Sequence, residues 1–367
     1  MQILQLSTAL PKSGYTTEEL IEAFPCTLPE GVRQNILNLG VSKRYLIDYP
    51  KTEGLMSEHG LVDLCHEACG EAVEKAGTSF KDIDCLIAAY DVNPFLSPGL
   101  SQLLVPALGL DPYTRLVNLQ GVASTAFPKA LDLAKNHLAV YPDDNVLLCI
   151  SGVSSYWFQN QVRGLKNLME ISKINSISSN ARKELELKKW VAAMQFFLFG
   201  DGVAAAIVTS KNEGLTVGDI AEVTNFGKKD YLAGCSRLSA LNEPFKFGFH
   251  SHLDREIPNL GAKYTGLALE KLLGEKAEIV MKKAKKWAVH TGSEKILNAL
   301  AEHNKVKPEK LKESHEVLKK CGNLAGASLP FILQRIISAN ELINGDIILM
   351  LGYGWGFSAS ASLLEHA

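Results

Sequence analysis

The chain has 367 residues, of which 46% are hydrophobic and 21% are charged. This composition is that of an ordinary globular protein, and the length allows two or three domain-sized units or one large body in two parts. The formal net charge of −2 argues against nucleic acid as the main partner, because there is no basic excess to neutralise phosphates. We also predict no membrane span and no secretory signal, since no apolar run reaches roughly 18 residues.

The seven cysteines contain no pair at Cys-x-x-Cys spacing. Cys65 and Cys69 stand at helical spacing among apolar residues, which predicts core positions. An odd number of cysteines without a disulfide or metal framework predicts reduced thiols and a cytoplasmic protein.

Along the first half, helical and strand-like patterns alternate, and most strand-like runs are short and buried. Predicted strands lie at 1–9, 83–90, 145–150 and 203–208, and predicted helices at 16–24 and 61–76. Residues 156–195 differ from these, because they read as one long, polar, helical stretch that is charged in the middle. Helix-connected buried strands predict an α/β protein with a mainly parallel or mixed sheet.

Residues 119–138 are the stretch with the clearest chemistry. Small residues on both sides of Ser124 form an uncrowded turn, and an amphipathic helix follows. Such a turn directs the first backbone N–H groups of the helix, and the positive end of its dipole, at whatever binds the Ser124 hydroxyl. This arrangement suits a nucleophile beside an oxyanion site. The alternative is that Ser124 only caps the helix.

The second half repeats the first. Residues 127–152 align without a gap with residues 329–354, and each copy is a small-residue turn, a helix and a buried strand closed by glycine. The FGDG motif at 199–202 similarly matches YGWG at 353–356. We therefore predict two equivalent halves, 1–212 and 213–367, with a cap insertion at about 153–197 in the first.

In a duplicated fold, the equivalent helices of the two halves begin near the pseudo-twofold centre. Asn323 precedes the second of these helices, and His290 ends a strand-like run before a glycine turn. With Ser124 they would form a three-part acyl-transfer site, because His and Asn can donate hydrogen bonds to a carbonyl or enolate and His can act as a base. The alternatives are a structural histidine and an Asn323 that caps its helix.

Five motifs, in this order and spanning nearly the whole chain, resemble the ketosynthase III and type III polyketide synthase branch of the thiolase superfamily, which includes chalcone synthases. They are NLQGVASTAF (118–127), LFGDGVAAAIV (198–208), WAVHTG (287–292), GNLAGAS (322–328) and GYGWGFSASASLL (352–364). The resemblance implies a duplicated five-layer αβαβα fold and a homodimer. It also implies no metal or redox cofactor, with CoA or phosphopantetheine as the substrate carrier.

Carried over by position, the resemblance assigns catalysis to residue 124, His290 and Asn323. Further positions that it implies lie along the path of the substrate. They are Phe199 as a gatekeeper of the substrate tunnel, Gly354 and Gly356 at the acyl site, Phe249 in the pocket lining, and Lys43 and Arg44 at the CoA phosphates.

The departure from the family is serine where cysteine is usual. A helix N-terminus and an imidazole can lower the pKa of a thiol enough to give a thiolate, whereas a serine hydroxyl must lose its proton during attack. Three interpretations of Ser124 stay open: an engineered Cys→Ser change, a natural serine-dependent acyltransferase or starter-selecting synthase, and a non-condensing partner subunit.

The function predicted from these features is an acyl-thioester ketosynthase. An acyl group from CoA or acyl carrier protein would load onto residue 124, and a malonyl-type extender would be decarboxylated beside His290 and Asn323. A Claisen condensation would follow.

Overall fold

The structure is a computed structural model that describes residues 1–47, 58–211, 214–227, 229–238 and 249–366. Its strands within these ranges are β1 (Gln2–Ala9), β2 (Gly14–Thr16), β3 (Lys43–Tyr45), β4 (Cys85–Tyr90), β5 (Arg115–Gln120), β6 (Val146–Ser151), β7 (Val203–Thr209), β8 (Leu215–Thr224), β9 (Gly234–Leu238), β10 (Phe249–Leu253), β11 (Lys286–Val289), β12 (Ile347–Gly354) and β13 (Ser358–His366).

The α-helices in the same ranges are α1 (Thr17–Glu22), α2 (Glu30–Leu37), α3 (Glu58–Lys75), α4 (Leu100–Leu108), α5 (Ala126–Val140), α6 (Ser155–Val162), α7 (Ile171–Asn175), α8 (Asn180–Leu198), α9 (Ile257–Leu273), α10 (Ala277–Lys283), α11 (Glu294–His303), α12 (Lys312–Cys321) and α13 (Ser328–Ser338). The predicted strands and the two predicted helices are confirmed, but the long helical stretch at 156–195 is divided among α6, α7 and α8.

Nine strands form one mixed sheet in the order β11-β12-β13-β8-β1-β7-β6-β4-β5. The pairs β4–β5, β4–β6 and β11–β12 are parallel, and the remaining pairs are antiparallel. Strands β1 and β8 meet only where Gln2 and Ile3 pair with Thr216 and Leu215. The sheet therefore consists of a first-half part and a second-half part joined by this short contact.

The fold has five layers, because helices cover both faces of each part of the sheet. Along β4, Ile87 and Ala89 face a core shared with α5, α13 and strands of both halves. Leu86 and Ala88 face the opposite way, against α3 and α4. The outer face of the second part packs against α9 and α11. Because strand side chains alternate between faces, the central helices lie between the two parts of the sheet, which confirms the predicted αβαβα arrangement.

The internal repeat is present in three dimensions. One-turn 3-10 helices at Ala123–Thr125 and Ala325–Ala327 lead into α5 and α13, and β6 and β12 follow. Ala123 and Ala325 have the same unusual backbone, with φ values of 45° and 46°. For a residue other than glycine this left-handed conformation is uncommon, so its recurrence at aligned positions is specific evidence of duplication.

The cap is built from the insertion and the N-terminal segment together. Helices α6 and α8 pack against α1 and α2 around a separate apolar cluster that includes Phe158, Phe196 and Phe197. The predicted boundary between residues 212 and 213 lies outside the described residues, so the division into halves at that point stays a prediction. Among the helices that the structure describes, none combines the length and apolarity needed to cross a bilayer.

Candidate active site

Residues 121–125, which carry the predicted nucleophile Ser124 and are called the nucleophile turn below, lie at the carboxyl end of β5. Ser124 is 6% exposed. The alternative that Ser124 caps the following helix is wrong, because α5 begins at Ala126, the cap position belongs to Thr125, and no side chain caps that end. The Ser124 hydroxyl is therefore not used to start the helix.

Two glycines of β12 let its backbone pass directly over this turn. A Cβ added to Gly354 would lie 2.9 Å from the Ser124 nitrogen, and one added to Gly352 would lie 2.9 Å from the Ser124 carbonyl oxygen. Both contacts are too close for a real Cβ. Gly354 thus contacts the turn, while Gly356 has φ of 100° and donates its N–H to Gly234. The role of both glycines in acyl binding stays a prediction.

His290 follows β11 and is held by its backbone and its ring. Its N–H donates to Leu351 at 3.0 Å, its carbonyl accepts from the Tyr353 hydroxyl at 3.3 Å, and the two rings meet edge to face at 5.1 Å. Nδ1 is buried without a hydrogen-bond partner in the described part of the chain. Burial lowers the pKa of His290 to about 3, so the imidazole is neutral at physiological pH.

Asn323 is oriented by a hydrogen bond to its own turn. Its Oδ1 accepts from the Ala325 N–H at 2.8 Å, and the residue is 4% exposed. Since the oxygen is engaged, the side-chain NH₂ is the group left to donate. The alternative that Asn323 caps its helix is wrong as stated, because α13 begins at Ser328 without a side-chain cap and Asn323 instead stabilises the preceding turn.

Phe199 is fixed beside Asn323 by a parallel β-bridge between the two residues. The Asn323 N–H donates to Leu198 at 2.9 Å, and the Gly200 N–H donates to Asn323 at 3.1 Å. The Phe199 ring lies 4.7 Å from that of Phe158 in the cap and 6.4 Å from that of Trp355. This location fits a gate between cap and core, which stays a prediction.

The segments that carry the three predicted catalytic residues meet at the junction of the halves. The Ser328 hydroxyl accepts from Thr291 and from the Leu324 N–H, both at 3.0 Å, so it joins the residues that directly follow His290 and Asn323. A Cβ on Gly326 would lie 3.3 Å from the Ala123 carbonyl oxygen, which places the nucleophile turn against residues 325–327. The three segments therefore lie together at this junction, and the convergence of the Ser124, His290 and Asn323 side chains in one pocket stays a prediction.

Two further predicted positions give different results. Phe249 begins β10 and pairs with Leu238, but its side chain lies outside the described residues. Lys43 is exposed, with Nζ 4.8 Å from the centre of the Tyr45 ring, and its contact with CoA stays a prediction.

Arg44 does not fit the predicted contact with CoA phosphates. Its side chain is fully buried, and its guanidinium donates to Thr17 at 2.8 Å and to the Phe196 carbonyl at 3.5 Å. Burial lowers its pKa to about 9. The prediction is wrong because alternation along β3 turns Arg44 inward while Lys43 points to solvent.

The most connected polar group near the site, Asp201, was not singled out from the sequence. Its carboxylate accepts from the backbone N–H groups of Ile47 at 2.8 Å and of Ser154 and Ser155 at 2.9 Å, and also from the Ser155 hydroxyl. Its own N–H donates to Tyr45 at 2.7 Å. The aspartate in FGDG was the available signal, and its role is to tie the Phe199 loop to segments following β3 and β6.

Asp91 and Gln195 were also missed. Asp91 follows β4, and its Oδ1 accepts from the Ala123 N–H of the nucleophile turn at 3.2 Å. Gln195 is fully buried, and neither its Oε1 nor its Nε2 has a partner among the described residues. No spacing in the sequence marks either residue. The described residues also hold no group of three His, Cys, Asp or Glu side chains arranged to bind a metal ion.

The duplicated five-layer arrangement, with a nucleophile turn at the start of one central helix, is the thiolase-type fold of condensing enzymes. The family described as 3-oxoacyl-[acyl-carrier-protein] synthase III, C terminal, matches residues 275–366. The structure of 1,3,6,8-tetrahydroxynaphthalene synthase from Streptomyces coelicolor superposes with a TM-score of 0.80 at 22% identity, covering 100% of this chain and 99% of that one.

Sequence relatives cover almost all of the chain. The 3,5-dihydroxyphenylacetyl-CoA synthase of Amycolatopsis orientalis is 22% identical over 98% of this chain and 92% of its own. The β-ketoacyl-[acyl-carrier-protein] synthase III of Clostridium perfringens strain SM101 is 24% identical over 99% of this chain and 98% of its own. Over nearly its whole length the chain is similar to thiolase-superfamily condensing enzymes of the branch that contains ketosynthase III and the type III polyketide synthases.

Proposed function

We propose that this protein takes an acyl group from a thioester onto the Ser124 hydroxyl and condenses it with a malonyl-type extender. The observation that carries the proposal is the meeting of three chain segments, from both halves, at one buried junction. The nucleophile turn contacts residues 325–327, and Ser328 joins the segments after His290 and Asn323.

The charges of the site suit stabilisation of an enolate. When the extender loses CO₂, the C–C bond breaks and its electron pair moves onto the thioester oxygen. The neutral imidazole of His290 and the NH₂ of Asn323 would donate hydrogen bonds to that oxygen. The enolate carbon then attacks the acyl carbon, the ester C–O bond to Ser124 breaks, and the Ser124 oxygen leaves as an alkoxide that takes one proton from water.

Loading of the acyl group needs a proton acceptor, because a serine hydroxyl is not ionised at neutral pH. Burial keeps the imidazole of His290 neutral, so its lone pair can accept the Ser124 proton during attack and pass it to the departing carrier thiol, while the same burial makes it a weaker base than a solvated histidine. This arrangement supports a natural serine-dependent synthase or acyltransferase. An engineered Cys→Ser change and a non-condensing partner subunit are the alternatives for Ser124.

Incubation with acyl-CoA should give an intact-mass increase equal to the acyl group, located by peptide mapping on Ser124. Ser124→Ala should abolish the adduct, because the other hydroxyl of the turn, on Thr125, donates to the Val122 carbonyl at 2.7 Å. Ser124→Cys should still form an acyl adduct, now as a thioester, and should still release CO₂ from malonyl-CoA. Thr125→Ser is the matched control and should keep the adduct. A Ser124→Cys protein that neither acylates nor decarboxylates would refute the condensing function.

The acyl group itself should carry an oxygen near Gln195. The Phe199 N–H donates to the Gln195 carbonyl at 3.0 Å, so the buried Gln195 amide lies one helical turn before the proposed gate. A buried amide without a partner costs about 1–3 kcal/mol for each unmade bond, and a polar atom of the substrate would remove that cost.

Gln195→Leu should therefore lower acylation by a 3-oxoacyl-CoA relative to an alkanoyl-CoA of equal length by about tenfold, equivalent to roughly 1.4 kcal/mol. Competition between the two thioesters, read by intact mass, measures the ratio. Gln34→Leu, on an exposed surface, should leave the ratio unchanged. If the ratio is unchanged in Gln195→Leu, the Gln195 amide binds water and not the acyl group.

We further propose acyl-CoA, malonyl-CoA or acyl carrier protein as partners, a cytoplasmic location, and a homodimer. Strand β5 stands at one edge of the nine-stranded sheet, and the nearby loop exposes Phe95 and Leu96. An unpaired edge beside exposed apolar side chains favours pairing with a second copy of the chain.

A further inference from the structure

The nucleophile turn is held by a side chain from a different strand. Tyr90, the last residue of β4, pairs with Gln120, the last residue of β5. Asp91 therefore lies beside the turn, and its Oδ1 accepts from the Ala123 N–H at 3.2 Å. Ala123 has φ of 45°, a conformation that a non-glycine residue keeps only when its surroundings impose it.

The second half shows what is special about this hydrogen bond. At the equivalent turn, the Ala325 N–H is accepted by the amide oxygen of Asn323 at 2.8 Å. Both left-handed alanines are thus held by a side-chain oxygen at the same atom. In the second half the acceptor is a neutral amide, whereas at the nucleophile it is a carboxyl group that can carry a negative charge.

Among the described residues packed around the turn, few groups could neutralise the negative charge of Asp91. The first turn of α5 carries Lys129, but its Nζ pairs with Glu222 at 2.5 Å. On β12, burial raises the pKa of Tyr353 above its usual range, so the phenol stays neutral. His290, next to β11, is neutral as well. Residues 325–327, which pack on the turn, contain no titratable side chain.

The Asp91 carboxylate is hydrogen-bonded to Ala123, the residue before the nucleophile, and would act differently on a thiol and on a hydroxyl at position 124. It would oppose a resting thiolate, because two negative charges at a separation below about 10 Å repel in a poorly solvated site. A serine hydroxyl is neutral until attack, so its resting state is unaffected. The same carboxylate accepts the Ala123 N–H more strongly than a neutral group does, which favours the conformation that presents residue 124.

We propose that Asp91 is a positioning residue of the nucleophile turn, and that its charge adapts position 124 to a hydroxyl nucleophile rather than a thiolate. This inference rests on the proposed function and deepens it, because it makes Ser124 the residue that the rest of the site accommodates. Burial raises the pKa of Asp91 to about 6, so the charge is present at neutral pH and is lost as the pH falls below 6.

Titration of an introduced thiol tests the charge without requiring turnover. In Ser124→Cys, the pH dependence of alkylation by iodoacetamide gives the thiol pKa. The double variant Ser124→Cys, Asp91→Asn should lower that pKa by about one unit. Adding Asp143→Asn instead, a change at an exposed carboxylate, should leave it unchanged. Equal thiol pKa values with and without Asp91→Asn would overturn the proposal.

Rates of ester formation on Ser124 test the positioning. Asp91→Asn keeps an oxygen for the Ala123 N–H but is uncharged at every pH, so its rate at pH 7.5 should match the lower rate that the native protein reaches below pH 6, and the decline near pH 6 should be absent. Asp91→Ala should form the ester on Ser124 about tenfold more slowly, or slower still, at every pH. Equal rates in the native protein and Asp91→Ala would contradict a positioning role. If no ester forms on native Ser124 while the thiol pKa shifts as expected, the proposed function fails and the electrostatic inference stands.

Discussion

Replacing Asn323 by Asp is expected to lower the release of CO₂ from malonyl-CoA by about 10²–10³-fold. The variant keeps an oxygen to accept the Ala325 N–H, so the turn should keep its shape. It exchanges the NH₂ donor for a carboxylate, which would repel the enolate. Initial rates of CO₂ release, together with the melting temperature, separate this chemical loss from a structural one.

His290→Ala should reduce the same reaction by about 10²–10⁴-fold and should also slow ester formation on Ser124, because the imidazole is proposed both as donor and as base. His303→Ala, at an exposed histidine in α11, is the matched control and should behave as the native protein. Decarboxylation that persists in both Asn323→Asp and His290→Ala would remove the roles proposed for these residues.

The pH dependence of ester formation on Ser124 in the native protein gives a further prediction. Since burial lowers the pKa of His290 to about 3, its neutral form is present throughout the range above pH 4. Any loss of ester formation between pH 7 and 5 should therefore follow Asp91, whose pKa is raised to about 6, and not the imidazole.

Asp201→Ala is expected to give the largest loss of stability, about 3–5 kcal/mol in the free energy of unfolding. The substitution leaves three backbone N–H groups and the Ser155 hydroxyl without their acceptor in a buried place. Burial also raises the pKa of Asp201, so the cost of desolvating the carboxylate offsets part of its contribution in the native protein. The melting temperature should fall by roughly 5–10 °C.

Asp201→Asn should lower the free energy of unfolding less than Asp201→Ala does. One side-chain oxygen can still accept a hydrogen bond, while the NH₂ group faces other donors. The surface change Asp143→Ala should stay within about 0.5 kcal/mol of the native protein. Melting temperatures that agree for Asp201→Ala and Asp143→Ala would show that the loops after β3 and β6 do not depend on this carboxylate.

The repeat was the most informative signal in the sequence. The gap-free match of 127–152 with 329–354 predicts two equivalent helices and strands, and α5, β6, α13 and β12 confirm it. Helices and strands follow from local periodicity, so β4 and β6 were found as short buried apolar runs. The positions of Ser124, His290 and Asn323 at the ends of elements also follow from this local pattern.

The local pattern was less reliable for the cap and for charged residues. One helical stretch was predicted where α6, α7 and α8 occur, because periodicity shows a helix but not where tertiary packing interrupts it. The family resemblance places Arg44 at a CoA phosphate, although its side chain is fully buried. Charge does not reveal burial when the partners, here Thr17 and Phe196, are distant in the chain.

The sequence by itself determined the α/β class, the duplication and the three residues at which an acyl-transfer site could form. Only the tertiary structure decided what surrounds them: the bridge between Phe199 and Asn323, the four contacts of Asp201, and the hydrogen bond from Ala123 to Asp91. These contacts join segments far apart in the chain. They depend on how β4, β5 and the two halves pack together, which no local pattern of residues encodes.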